Sequence, residues 1–438
     1  MCVATNTFAQ YNIATTYCSH NDLNSARYLP SEMDLHNNKK VQIGMNYYLY
    51  AGNTALSYEK LKRMYDKKVL EAADIDDFIK GLKKENLFGI GQDYQILGLG
   101  FQIRTKKEKD YDFSFTAVDK FGASFLYSDN FLKLAWKGNK QFAGTKTDLG
   151  PLRMNVNYSR EYCFGSAFPI IGREDKVGLR AGFRVKYIQG IASIYMDKSQ
   201  LSIFTDSSGR SVTLDMDYQI QAAGFKKFSP FAFSGSGIGL DLGATIYLSK
   251  NFEIAASLLD IGEIKYTKDI RKFSKKGTFS YEGLVVGNLF GDPRLQETQD
   301  SIQYLFKPEQ TDGNSYMKPL GTRFIIQAEI KTPRKDVKNR EYVANAIFLT
   351  YAQGLNNLSG ITTRPFVSVG YNHDFHDVFD MGLAVSYGGF NGLALGTFLS
   401  FNIGHTLKFG VGSDNLTAFI YKKLGTGIDF STNLSLSF

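Results

Sequence analysis

The charged residues that could carry chemistry lie at alternate positions within predicted strands. Side chains two residues apart on a strand point to the same face, so each group shares one polar face. We expect the basic and acidic groups to form an internal ion-pair network. The alternative is a binding site for an anionic headgroup such as a carboxylate. The six candidates are Arg180, Arg184, Lys186, Asp215, Asp217 and Asp241.

Signatures of catalysis are missing from the sequence. It contains no Gly-Lys-[Ser/Thr] phosphate loop, no His-Glu-x-x-His and no nucleophile elbow at a strand-to-helix junction. His373, His376 and Asp377 cluster in a predicted turn, where a polar hairpin tip is a simpler interpretation than a hydrolase site. We therefore predict a protein that is not an enzyme and has no catalytic residue, cofactor or metal.

The three cysteines, Cys2, Cys18 and Cys163, form no disulfide framework and no metal-ligand spacing with the 5 dispersed histidines. Cys2 and Cys18 are able to pair in an oxidising compartment. Two unpaired thiols in a mobile terminus are the other interpretation, and the sequence leaves the choice open.

The elements that must position the charged residues are strands with one apolar and one polar face. The last segment, 427–438, shows the pattern most clearly and ends on an aromatic residue. Its apolar parity is Ile428, Phe430, Leu434, Leu436 and Phe438. The same alternation recurs in segments 41–49, 95–104, 111–121, 153–164, 177–187, 212–222, 238–248, 252–261, 324–330, 343–353, 366–372, 379–387, 393–403 and 407–411.

Segment length favours a membrane over a soluble sandwich. Many segments run about ten residues, which is the length that a tilted strand needs to cross hydrocarbon, whereas strands of soluble domains usually have five or six. Only helices or closed barrels satisfy all backbone groups in lipid. We predict an all-β fold, a closed antiparallel transmembrane β-barrel of about 14 strands, with 16 as the alternative.

Composition agrees with strands that are apolar on one face only. The 438 residues include 42 Gly, 26 Tyr and 35 Phe, and mean hydropathy is −0.22. The net charge of +8 comes from scattered Lys and Arg, and no nucleic-acid-binding module is present. Anionic lipopolysaccharide is the simplest partner for this charge, so we predict contact with outer-membrane lipid and none with nucleic acid.

Four regions depart from the alternation. Residues 1–10 are predicted to be the remnant of an export signal, and 11–40 an N-terminal arm or plug before the barrel of 41–438. Residues 55–85 have helical periodicity and are expected to form either a lid over the lumen or a surface decoration. Residues 122–150 look loop-like, and 262–320 are predicted to be one long loop with a short helix near Asp300–Leu305.

Several fold motifs resemble a family of Bacteroidota outer-membrane proteins related to the long-chain fatty-acid transporters, the FadL-like barrels. They lie in 80–101, 136–144, 158–162, 182–190 and 412–416. The resemblance implies about fourteen strands and an N-terminal segment that enters the lumen. The same fold class includes the accessory barrel of the type nine secretion system. The resemblance identifies no ligand-contacting residue at a numbered position.

Two functions are consistent with these patterns. The first is an integral protein of the bacterial outer membrane for passive uptake of hydrophobic small molecules. The alternative is an accessory or docking barrel in a protein-secretion or surface-assembly complex. Apolar lumen residues with a lateral gap favour uptake, whereas a plugged lumen and large exposed apolar loop patches favour docking.

Overall fold

Fourteen antiparallel strands close into one ring, as the sequence predicts. The ring closes where the last strand pairs with the first, in a register that places Ile43 opposite Leu436 and Leu49 opposite Phe430. The computed structural model describes residues 25–33, 40–67, 71–105, 110–172, 177–226, 229–281, 308–335, 341–358, 361–376, 378–404 and 406–438. Cys2, Cys18, Asp377, residues 1–10 and the predicted helix near Asp300–Leu305 lie outside these residues.

The ring strands alternate in direction and pair with their neighbours in the order in which they follow here. They are β1 (Val41–Asn53), β2 (Glu85–Arg104), β3 (Asp110–Ser128), β5 (Arg153–Ile171), β6 (Gly178–Thr205), β8 (Gly235–Ser249), β9 (Phe252–Tyr266), β13 (Arg323–Lys335), β14 (Glu341–Gly354), β15 (Phe366–Phe375), β16 (Phe379–Gly388), β17 (Asn391–Ile403), β18 (Leu407–Ser413) and β19 (Gly427–Ser437).

The two ends of the barrel differ in their connections. At the lower end, where β1 begins and β19 ends, every connection is short: 105–109, 172–177, 250–251, 336–340, 376–378 and 404–406. The upper end carries the long connections 54–84, 129–152, 206–234, 267–322 and 414–426. This asymmetry is typical of barrels in bacterial outer membranes.

The apolar parity of the strands points outward and the polar parity inward. In β19, Phe430 and Leu434 are exposed, whereas Asp429 and Asn433 are buried. Aromatic rings also pack across neighbouring strands on the outer surface, with ring centroids 5.2 Å apart for Phe101 and Phe113. A soluble protein buries its apolar face, so this inverted distribution is the one expected of a barrel surrounded by lipid.

Four further strands and part of β6 build a sheet that rises above the ring, which we call the upper sheet. It consists of β4 (Lys146–Asp148), residues 193–205 of β6, β7 (Val212–Ala223), β10 (Ile270–Tyr281) and β11 (Glu309–Asp312). The short β12 (Tyr316–Pro319) pairs with the upper end of β9 and continues β13. β6 belongs to both structures, since its first half pairs with β8 in the ring and its second half with β7.

Four short α-helices lie in the described parts of the upper connections. They are α1 (Tyr58–Asp66), α2 (Ala72–Lys80), α3 (Asp129–Lys137) and α4 (Thr417–Ile420). α1 and α2 fall within 55–85, the segment with helical periodicity. Phe78 of α2 packs edge-on against Trp136 of α3, with ring centroids 4.3 Å apart, so the two helices form one layer. None of the described helices is both long and apolar enough to cross a membrane.

Two upper segments predicted as loops are partly regular. Residues 270–281 form strand β10, and 122–137 continue β3 and then form α3. The alternation signal fails in β10 because Arg271, Lys272, Lys275 and Lys276 put charge on both parities. Pairing with β7 over its whole length makes this segment a strand, and such pairing cannot be seen in local sequence.

Candidate functional site

The lumen contains a dense group of ion pairs, which we call the lumenal charge cluster. The Lys186 ammonium lies 2.6 Å from Asp241 and 2.5 Å from Asp260, and the Arg184 guanidinium lies 3.4 Å from Asp241. Every charged group in the cluster except Lys120 is less than a tenth exposed, so each depends on its partners. The members are Lys120, Glu161, Arg184, Lys186, Asp241, Asp260 and Arg323.

The six predicted charged residues separate into two places. Arg184, Lys186 and Asp241 meet in the cluster, because the β6–β8 register places Arg184 directly opposite Asp241. Arg180, also inward-facing, pairs with Asp112. Asp215 and Asp217 lie instead on β7 of the upper sheet, where their partners are Lys146 at 2.5 Å and Lys198 at 2.6 Å. They do not reach the lumen, because β7 pairs with β10 and with residues 193–205 of β6, the part of β6 that rises above the ring.

Residues 25–33 lie inside the barrel against β5, β6, β8 and β9. Two short 3-10 turns, Ser25–Arg27 and Pro30–Glu32, form this segment. Several of its hydrogen bonds reach inward-facing residues: Arg27 donates to Asp93 at 2.6 Å, Ser257 donates to the Tyr28 carbonyl at 2.6 Å, and Arg180 donates to the Met33 carbonyl at 2.9 Å. Leu29, Ser31 and Met33 are almost fully buried.

A pair of glycines makes room for that segment. Gly182 and Gly243 face each other across β6 and β8. A Cβ on Gly182 would lie 2.2 Å from the Pro30 carbonyl oxygen, and one on Gly243 would lie 3.0 Å from Pro30 Cδ. Only glycine allows the backbone of residues 30 and 31 to approach the wall this closely.

A small cavity lies in the lumen beside the charge cluster. A cavity of about 60 Å³ is bordered by Asp93, Lys120, Glu161, Asp260 and Arg323. This volume holds a few water molecules and is far below the several hundred Å³ of an ordinary ligand pocket.

A second cavity, with an apolar lining, lies at the upper sheet, and we call it the apolar pocket. Its volume is about 840 Å³, within the range of sites for small organic ligands. Strands β6, β7 and β10 supply most of the wall, and α3, the upper ends of β3 and β5, the α3–β5 connection and the β6–β7 turn supply the rest. Lining side chains include Phe125, Phe131, Leu134, Met154, Met196, Leu201, Ile203, Leu214, Met216, Tyr218 and Phe279.

The chain between β3 and β5 covers the pocket. Phe142 and Leu149 of this cover pack on Ile203, with Leu134, Val212 and Leu214 around them. The Ser128 hydroxyl caps α3 by accepting a bond from the Phe131 amide at 3.0 Å, and it donates to the Leu149 carbonyl at 2.6 Å. The cover is thereby held to the helix that lines the pocket.

The opposite face of the upper sheet is polar and ties β4 in place. Asp215 accepts hydrogen bonds from Lys146 of β4 at 2.5 Å and from Thr278 of β10 at 2.6 Å. The bond from Lys146, followed by that from Thr278, holds the pKa of this carboxyl below its ordinary value. Asp215 thus links three strands of the sheet that backs the pocket.

The sequence signals for the apolar pocket were present but could be interpreted differently. Val212, Leu214, Met216, Tyr218 and Ile220 form an apolar row on β7, which alternation alone cannot distinguish from a lipid-facing row. Phe131 and Leu134 are at helical spacing, within a stretch interpreted as loop. Only the folding of α3 onto β7 shows that the two apolar surfaces enclose a cavity.

Among the residues that the structure describes, the other candidates for chemistry contribute no site. His373 makes a 2.7 Å hydrogen bond with Asn345 at the lower end, and Cys163 is buried on the inner face of β5. Within the described parts of the chain, no group of three or more His, Cys, Asp or Glu residues could hold a metal ion.

Comparison with known proteins gives a family and a set of similar barrels. The model described as "Family of unknown function (DUF5723)" matches residues 35–414. No curated protein matches the sequence.

Three similar solved structures share little sequence with this chain. The toluene transporter TodX of P. putida is 10% identical with a TM-score of 0.46, and the match covers 98% of this chain and 99% of that one. The Ralstonia pickettii toluene transporter TbuX is 9% identical with a TM-score of 0.44, and the match covers 95% of this chain and 93% of that one. A Pseudomonas aeruginosa FadL homologue is 10% identical with a TM-score of 0.42, and the match covers 99% of this chain and 99% of that one. The sequence motifs resemble barrels of this FadL-like class.

Proposed function

The chain belongs to the DUF5723 family, and we propose that this member is an outer-membrane barrel for passive uptake of hydrophobic small molecules. The observation that carries the proposal is the apolar pocket, with its volume of about 840 Å³ and its lining of aliphatic and aromatic side chains. Binding there needs no charged partner on the ligand and is driven by the removal of apolar surface from water. The proposed role is binding and passage without catalysis.

The proposed location in the outer membrane is supported by the surface of the ring. Apolar side chains point outward on strand after strand, and the long connections all lie at one end. The upper end, which holds the pocket, would then face the exterior, where lipopolysaccharide surrounds it. Hydrophobic molecules cross a polysaccharide layer poorly, so a pocket above the membrane serves their entry.

Residues 25–33 are the described part of the predicted N-terminal plug, and we propose that they close the lumen. Support comes from their burial, from the Gly182–Gly243 pair and from the hydrogen bonds to Asp93, Arg180 and Ser257. With the lumenal charge cluster beside it, this segment leaves no apolar path through the centre of the described barrel.

A second function, a docking barrel in a secretion or surface-assembly complex, is favoured by two observations, the segment 25–33 inside the lumen and an exposed apolar cluster. Phe419, Ile420, Tyr421 and Leu424, in and beside α4, are each more than half exposed at the upper end. Exposed apolar clusters of this kind often contact partner proteins. Gentle native purification separates the two functions, since docking predicts a stoichiometric protein partner and uptake predicts a barrel without one.

The uptake proposal is tested by binding of N-phenyl-1-naphthylamine to the protein in lipid nanodiscs. Trp136, the only tryptophan, lies on α3 beside the pocket and transfers energy to this probe. We expect a saturable component above partitioning into lipid. Met216→Arg puts a charge in the pocket wall and should weaken that component at least about tenfold, because a buried unpaired charge is costly.

The matched control is Gln219→Arg, on the same strand but on its polar face. This variant should bind the probe like the original protein. Absence of a saturable component, or equal loss in both variants, would reject the apolar pocket as the site.

A further inference from the structure

The apolar pocket lies on the outer side of the barrel wall. Phe115 of β3 and Phe164 of β5 are exposed on the lipid-facing surface. The β3–β5 register runs without a shift from Asp112 to Leu126, so alternation carries that outward face up to Phe125 and Met154. Both residues line the pocket. The pocket and the lipid-facing surface are therefore two parts of one face of one sheet.

The opposite parity of the same strands faces the lumen. Lys120 of β3 and Glu161 of β5 belong to the charge cluster and border the small lumenal cavity. The wall thus stands between the two cavities, and a molecule in the apolar pocket is not in the lumen.

An apolar strip joins the pocket to the lower surface. Phe121 and Ala123 of β3 and Val156 of β5 have the outward parity, lie between the pocket and the exposed band, and are only partly buried. Below them on this face, Arg160 and Asp119 form an ion pair at 2.6 Å, a level suited to lipid headgroups.

Residues 224–226 and 229–234, which connect β7 to β8, lie beside this strip. Phe231 is 83% exposed, and Phe225 and Phe233 are each more than two-fifths exposed. The Arg160 guanidinium lies 5.9 Å from the centre of the Phe231 ring, and the Lys268 ammonium lies 5.1 Å from that of Phe233. Exposed rings over cations suit the boundary where acyl chains meet anionic headgroups.

We propose that the pocket exchanges its ligand directly with the outer leaflet along this outer strip, without passage through the lumen. The inference rests on the proposed uptake of apolar molecules and names their destination. The ligand is an uncharged or weakly polar hydrophobic molecule that is soluble in the bilayer. It slides from the pocket over Ala123 and past the phenylalanines of 224–234 into the acyl chains.

Exchange rates test the route separately from binding. N-phenyl-1-naphthylamine is preloaded in protein-free vesicles and mixed with the protein in nanodiscs, and energy transfer from Trp136 is followed in time. Phe231→Ser and Ala123→Glu should slow the approach to equilibrium about fivefold or more while the final saturable signal is retained. Phe419→Ser changes another exposed phenylalanine, 61% exposed and outside the strip, and as the control it should leave the rate unchanged.

A lumenal variant completes the design. Gly182→Ala, which displaces residues 25–33, should not change the exchange rate. If the rate responds to Gly182→Ala and not to Phe231→Ser or Ala123→Glu, the ligand passes through the lumen and the outer route is wrong, although the pocket stands. If the original protein shows no saturable signal, the proposed function fails, and the route fails with it.

Discussion

The lumen and the apolar pocket lie on opposite sides of one barrel wall, and their linings differ in polarity. The described part of the lumen holds paired charges, an internal peptide segment and a cavity of about 60 Å³. The pocket is open, with about 840 Å³ between apolar walls. A barrel in lipid must bury its polar parity inside, so its interior becomes the charged core. Space for an apolar ligand is then found where the same sheet leaves the membrane.

The comparison also predicts how each region fails. Buried ion pairs are costly to break because the remaining partner keeps a charge away from water. The pocket depends on apolar packing of a surface cover, and its loss should spare the ring. A substitution in the lumenal charge cluster should therefore destabilise the whole barrel. A substitution of similar size in the cover should only open the pocket.

The largest effect is expected from Lys186→Met. It removes the cation that touches both Asp241 and Asp260, and the destabilisation should be about 3–5 kcal/mol. The measurement is loss of the heat-resistant folded band in gel electrophoresis at lower temperature. Lys198→Met, which breaks an exposed pair with Asp217, should cost less than about 1 kcal/mol. Equal effects would show that the lumenal cluster is not structural.

Leu149→Ala should act on the pocket alone. Leu149 of the cover is almost fully buried against Ile203, and truncation of a buried leucine costs about 2–5 kcal/mol, here toward the lower value beside an existing cavity. Limited proteolysis should cut residues 138–152 faster, with the heat-resistant band unchanged. A shift of that band would mean that the cover and the ring unfold together.

Gly182→Ala should loosen the internal segment. The added Cβ meets the Pro30 carbonyl, and overpacking of this kind costs about 1–3 kcal/mol. We expect larger ion conductance in planar bilayers, as residues 25–33 leave the lumen. Gly392→Ala adds the same atom where nothing lies within 4 Å and should leave conductance unchanged.

The smallest expected effect is a loss of stability of the upper sheet at acid pH. Because the folded pKa of Asp215 is lowered, this residue stabilises the upper sheet above its unfolded pKa of about 3.9, and that contribution disappears as pH falls through the folded value. Probe binding should weaken slightly below that range, while the ring stays folded. Asp215→Asn should show the weakened binding already at pH 7 and lose this acid dependence; a full acid response in the variant would assign it elsewhere.

Much of the ring could be predicted because its signal is local. Phe430 faces lipid and Asp429 faces the lumen because adjacent residues of a strand point to opposite faces. The same rule applies to Val185 and Arg184. The rule fails above the ring, where β10 carries lysines on both parities and the apolar row of β7 packs under a cover in place of lipid. Neither β10 nor β7 has lipid on one face and the lumen on the other. Alternation in these strands therefore does not predict which environment each face contacts.

Sequence alone determined the strand faces, the closed ring and the expectation of buried charge, since a period of two needs only neighbouring residues. Tertiary structure decided which charges meet. Arg184 finds Asp241 across 57 positions, because β7 leaves the ring and lets β8 pair with β6, whereas Asp215 and Asp217 are carried to the upper sheet with β7. It also decided that α3 closes over β7, and a cavity between two elements has no counterpart in the sequence of either one.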